Sequence, residues 1–134
     1  QTVTYAVNAI NTMAVSGDPG ALTITTATPG SPPTSVTDAT TTWAFTTNQT
    51  GAKVQAALAT NMPAGVTLTV ALQAPTAATS AGAVVLTTVA TDLVTGITLL
   101  NESGKTITYS LSATAAAGVV SGSKVVTYTV VAGT

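Results

Sequence analysis

Val3-Thr4-Tyr5-Ala6-Val7-Asn8-Ala9 is one of three near-copies of a single pattern, the others being Ile107-Thr108-Tyr109-Ser110-Leu111-Ser112-Ala113 and Val126-Thr127-Tyr128-Thr129-Val130-Val131-Ala132. Together they hold every tyrosine in the chain. Each copy reads β-branched, Thr, Tyr, small or polar, aliphatic, variable, Ala. Successive side chains on a strand point to opposite faces, so the pattern sets an apolar residue on one face at every second position. Three strands of one kind are expected, one opening the sequence and two closing it, and each needs a partner edge.

Between the copies the same alternation recurs. Val66, Leu68, Val70 and Leu72 alternate with Thr67, Thr69 and Ala71; Val54, Ala56 and Leu58 alternate with Lys53, Gln55 and Ala57. Trp43 and Phe45 stand two apart and so share a face; with Tyr109 and Tyr128 they are the expected core anchors. Strand is also expected over 21–28, 83–89 and 93–100, with a bulge at Gly96. Ser16-Gly17-Asp18-Pro19-Gly20, Asn61-Met62-Pro63-Ala64-Gly65 and Asn101-Glu102-Ser103-Gly104 carry turn chemistry. Pro29-Gly30-Ser31-Pro32-Pro33 opens a loop expected to run to about Thr41, long enough to be a contacting loop. Ala115-Ala116-Ala117 has helix propensity, but the flanking Gly118, Val119 and Val120 favour a loop. The sum is eight to ten short strands with closely spaced turns, which describes an all-β domain, an Ig-like or Greek-key β-sandwich, with a barrel as the alternative. The division expected is an N-terminal strand over 1–11 and a single domain over 12–134.

Composition excludes much chemistry. Only 5% of the 134 residues are charged, and His, Cys and Arg are absent. General acid–base work draws chiefly on His, and metal sites on His, Cys and clustered carboxylates. With four scattered carboxylates, neither an enzyme nor a cofactor or metal site is expected. Three lysines and a net charge of −1 do not supply the phosphate neutralisation that nucleic-acid binding needs. No run approaches the eighteen apolar residues of a membrane helix. Ser121-Gly122-Ser123-Lys124 matches the S-x-x-K string of serine acyl enzymes but lacks that family's companion motifs. Asn48-Gln49-Thr50 and Asn101-Glu102-Ser103 match N-glycosylation acceptors, and as turn sequences they need no such explanation. A buried lysine beside an asparagine and an acid could form an isopeptide bond, and exposed lysines are the expected arrangement.

A soluble monomer ordinarily carries about a quarter of its residues as charges. The neutral coat of Thr, Ser, Ala and Asn here suits an extracellular or cell-surface protein that packs against its own copies, because no charge is desolvated at the contact. The chain starts at Gln1 in strand-like sequence, as a secreted protein would after signal removal. If the opening strand reached a neighbour, burying Val3, Tyr5, Val7 and Ile10 at ~1.5–3 kcal/mol each would contribute on the order of 6–12 kcal/mol before ordering costs. That is comparable with the whole stability of a domain.

The run from Gly118 through Ser121-Gly122-Ser123-Lys124 to Val130 resembles the final strand of secreted bacterial fimbrial subunits, of spore-coat-like or archaic chaperone–usher type. The opening strand is similar to the N-terminal donor segment of donor-strand pilins. The resemblance implies a structural subunit of an extracellular filament, a homopolymer whose Val3, Tyr5, Val7 and Ala9, with Ile10 beside them, insert into the next copy. On the residues alone two other classes stay open: a monomeric secreted Ig-like adhesin or binding module using loops such as Pro29 to Thr41, and a surface-layer or coat protein.

Overall fold

The alternating apolar runs form strands because each can bury one face, and two antiparallel sheets result. The computed structural model describes residues 1–134 and contains β1 (Asn11–Val15), β2 (Val36–Thr47), β3 (Ala52–Leu58), β4 (Val66–Leu72), β5 (Thr79–Ser80), β6 (Val84–Val85), β7 (Thr91–Ile97), β8 (Leu100–Ala113) and β9 (Val126–Val131). The strand orders are β1-β2-β8-β4-β6 and β5-β7-β3-β9. The only helical element is a three-residue 3-10 turn at Ala115–Ala117. No helix is long and apolar enough to cross a membrane.

The inner faces share one core. Trp43 and Phe45 of β2, Val54, Ala56 and Leu58 of β3, Val70 and Leu72 of β4, Leu93 and Ile97 of β7, and Ile107 and Tyr109 of β8 are all buried. Most of these residues are aliphatic, and the one tryptophan is the largest side chain buried among them. Its ring meets Phe45 edge-on, with centroids 6.1 Å apart and planes at 73°.

The structure departs from the sequence expectations in several places; the strand expected over 83–89, for one, is only the two-residue β6. Residues 2–10 join no ladder of their own domain; pairing starts at Asn11, opposite Thr47. Residues 21–28 half-bury Leu22 and Ile24 but form only an isolated Ala27–Pro33 bridge, since the prolines at 19, 29, 32 and 33 interrupt any ladder. The loop expected to reach Thr41 ends at Val36, because the Thr-rich run after it has strand propensity and pairs with β8. There Asp38 stabilises an irregularity in the ladder, its Oδ1 accepting from the Thr40 N–H at 3.1 Å and the Thr40 hydroxyl at 2.7 Å. Asn101–Gly104, expected as a turn, lies inside β8 as a register shift between Glu102, opposite Phe45, and Lys105, opposite Trp43; Gly104 takes φ 68° there. The chain reverses instead between β7 and β8, where Leu99 adopts φ 46°. At Gly96, φ 72°, the β3–β7 register shifts as a bulge requires.

Glu102 also ties the β4–β5 connection to β8. Its carboxylate lies 2.7 Å from the Lys105 ammonium and accepts the Thr76 N–H at 3.0 Å, and these contacts, Lys105 foremost, bring its pKa down to about 2 from 4.5. The unfolded chain therefore binds this proton more readily than the folded one. Ionised Glu102 favours the fold above about pH 4.5, and the contribution is lost as pH falls towards 2. Asp92, lowered by Gln55 and then Lys53, and Asp38, lowered by Thr40, act in the same direction. Thermal melts between pH 6 and 2 are expected to show a falling midpoint, with a shallower fall in Glu102→Gln.

Candidate functional site

Two features stand at opposite ends of the sheet pair. The first is the segment before β1. β2 and β3 are joined by a short turn, so Thr47 and Ala52 mark one end of the molecule. Asn11 pairs with Thr47 at that end. The chain continues outward from it, held by Asn48: the Asn48 N–H donates to the Ile10 carbonyl at 3.2 Å, its Oδ1 accepts the Ile10 N–H at 2.7 Å, and its Nδ2 donates to the Asn8 carbonyl at 2.8 Å. Beyond this clamp the side chains lie open. Val3 is 81% exposed, Tyr5 90% and Val7 80%; Ala9 is exposed too, and Ile10 is the least exposed of the apolar set.

Asn48 matches the glycosylation pattern, but its amide is already engaged as this clamp. Asn48→Ala is expected to leave the domain's melting free energy within about 1 kcal/mol, because the bonds are solvent-exposed. Amide hydrogen exchange at Ile10 should accelerate, read by NMR or mass spectrometry.

The second feature is a groove of about 560 Å³ between the sheets, towards the end where Leu111 pairs with Val36 and Leu58 with Val126. Its floor is Leu68 of β4 with Ile107, Tyr109 and Leu111 of β8. One wall is Val15 with residues 17–20 and Leu22; the other is residues 122–126 and Tyr128 of β9. Met62 also lines it. Tyr109 and Tyr128 come from the two sheets and their hydroxyls meet at 2.6 Å, a bridge between layers. Burial raises the pKa of both phenols, so the pair stays neutral. Thr41, buried in the same lining, has a hydroxyl with no partner within the domain.

Of the residues singled out from sequence, Trp43 and Phe45 meet each other in the core and Tyr109 meets the half-buried Tyr128 at the groove. Val3, Tyr5, Val7 and Ala9 meet nothing comparable. Leu22 and Met62 carried no site signal, and Asn48 none for its role as a clamp, because these roles depend on neighbours distant in sequence. The lysines face Asp92, Glu102 and the Thr60 hydroxyl. None is a buried amine against an asparagine, so the isopeptide arrangement is not formed. Lys124 is thereby directed to Thr60 rather than to Ser121, and no group of three or more His, Cys, Asp or Glu residues could hold a metal ion. Compared with protein-family models, curated proteins and solved structures, the chain matches none.

Proposed function

We propose that the protein is a secreted, non-enzymatic structural subunit of an extracellular, pilus-like filament, an Ig-like sandwich that polymerises by donating residues 3–9 to another copy. The observation that carries this reading is the unequal fate of the three tyrosine strands. In β8 and β9 the pattern turns Tyr109 and Tyr128 towards the interior. The third copy, built on the same alternation, leaves Tyr5 90% exposed. An apolar strand face without a sheet is costly in water and exposes unpaired backbone groups, the condition that pairing with another chain relieves. The sparse charge of the surface places little electrostatic repulsion between copies.

The test is the state of the full chain purified without denaturant. Fibres by electron microscopy and a ladder of species surviving mild denaturant are expected. A monodisperse monomer at high micromolar concentration defeats the reading.

A further inference from the structure

We infer that the groove between the sheets is a binding site for a small neutral molecule with an aliphatic body and a carbonyl oxygen, of the class of a medium-chain ketone. Such a site operates within one protomer and needs no second copy. Leu22, Met62, Leu68, Ile107, Leu111 and Val126 line a space of about 560 Å³, within the roughly 300–1,000 Å³ of small-molecule sites. Both walls are held in place by the domain itself. The wall after β1 is tied to β2: the Ser16 N–H donates to the Thr42 carbonyl at 2.9 Å, and the Ser16 hydroxyl oxygen accepts the Thr42 N–H at 2.8 Å. The opposite wall is tied to the chain just beyond β3, where the Ala59 N–H donates to the Val125 carbonyl at 3.0 Å and Lys124 Nζ donates to the Thr60 hydroxyl at 2.9 Å. A cleft formed in advance spares its ligand the cost of ordering loops.

The hydroxyls in the cleft select the head group. Thr41 is 5% exposed and borders the groove, yet its Oγ1 has no hydrogen-bond partner in the protein. A buried hydroxyl left unpaired is costly, and a ligand oxygen relieves that cost. Thr41 pairs with Ile107, whose next inward neighbour along β8 is Tyr109. Where Tyr109 and Tyr128 meet at 2.6 Å, one phenol donates and the other accepts, so the accepting phenol keeps its own hydrogen for a third atom. The cleft therefore offers O–H donors from Thr41 and from the tyrosine pair, and a carbonyl oxygen, with two lone pairs and no hydrogen, matches that set. An anionic head is disfavoured. Asp18 stands in the lining, and the neighbouring Lys124 is drawn to Thr60.

The test is a titration of the nitrogen-15-labelled full chain with 2-heptanone, heptanoate and toluene near neutral pH, followed by amide shifts; the Tyr5→Asp chain serves should the parent assemble. Saturable shifts with 2-heptanone are expected at Thr41, Tyr109 and Val126, and heptanoate is expected to bind more weakly. Thr41→Val keeps the shape and removes the hydroxyl, so it should weaken 2-heptanone about two- to tenfold and leave toluene, which has no carbonyl, unchanged. Thr41→Ser should retain most of the ketone affinity. Without any probe, the melt of Thr41→Val should be no lower than that of the parent, because the lost hydroxyl had no protein partner. The absence of saturable shifts at the groove removes the site, a result that needs no variant. Heptanoate binding more tightly than the ketone overturns the neutral class. Equal losses of ketone and toluene in Thr41→Val, or a lowered melt of that variant, would mean that Thr41 shapes the core and does not read a carbonyl.

Discussion

Tyr5→Asp is expected to weaken the contact between subunits by about a hundredfold or more while leaving the domain's own melting curve unchanged. Burying an aromatic side chain of this size is worth ~1.5–3 kcal/mol, and an aspartate in its place must either lose water or keep the strand out. Each 1.4 kcal/mol is a factor of ten in affinity. Within its own protomer Tyr5 touches solvent over 90% of its surface, so the domain has little to lose. The dissociation of the combination is what matters: a polymer-to-monomer shift in sedimentation with an unchanged circular-dichroism melt of the monomeric species. Tyr5→Phe is the companion, expected to retain polymers. If Tyr5→Asp assembles like the parent protein, the exposed tyrosine strand has no part in assembly.

The same logic gives the exposed segment a physical cost that a closed module would not carry. Val3, Tyr5 and Val7, which an extended backbone sets on one face, would form an apolar stripe on a molecule whose other solvent-facing strand positions are mostly Thr, Ser and Ala. Isolated exposed apolar residues are ordinary, but a contiguous row on an unpaired strand invites association. Asn48 limits the freedom of that row at its base, which would lower the ordering entropy to be overcome if the row is donated to another copy as proposed.

How far the sequence could be read depended on whether a feature is local. Val66–Leu72 and Lys53–Leu58 alternate in their residues and in their burial, because one sheet face is dry and the other wet. Gly96 falls at a bulge for a local reason, its tolerance of positive φ. Asn101–Gly104 misled because turn-forming residues also suit a strand irregularity, and pairing with β2 decided between them. Residues 2–10 show an equal limit: alternation defines a face but does not say which edge the face joins. The groove was illegible for a stronger reason. Leu22, Met62, Leu68, Leu111 and Tyr128 are brought together only by the crossing of sheets, and no spacing in the chain records their proximity.

Trp43→Ala is expected to destabilise the domain by about 3–5 kcal/mol, a large fraction of the ~5–15 kcal/mol typical of a whole domain. Trp43 is 1% exposed, on a strand flanked by β1 and β8, where Val15 and Lys105 are its register partners. A packed core relaxes only partly around a vacated indole, so a cavity term adds to the lost transfer energy. The indole N–H has no partner within the domain, and burying it unpaired costs about 1–3 kcal/mol. Trp43→Phe removes that unpaired donor along with part of the volume, so its loss should be distinctly smaller than that of Trp43→Ala. Chemical unfolding of each variant in the Tyr5→Asp background reads these values on a monomer. In the parent background the deficit of Trp43→Ala should shrink as protein concentration rises, because assembly binds the folded state and not the unfolded one. A deficit identical at all concentrations and in both backgrounds would mean that the folded subunit gains nothing from its neighbours.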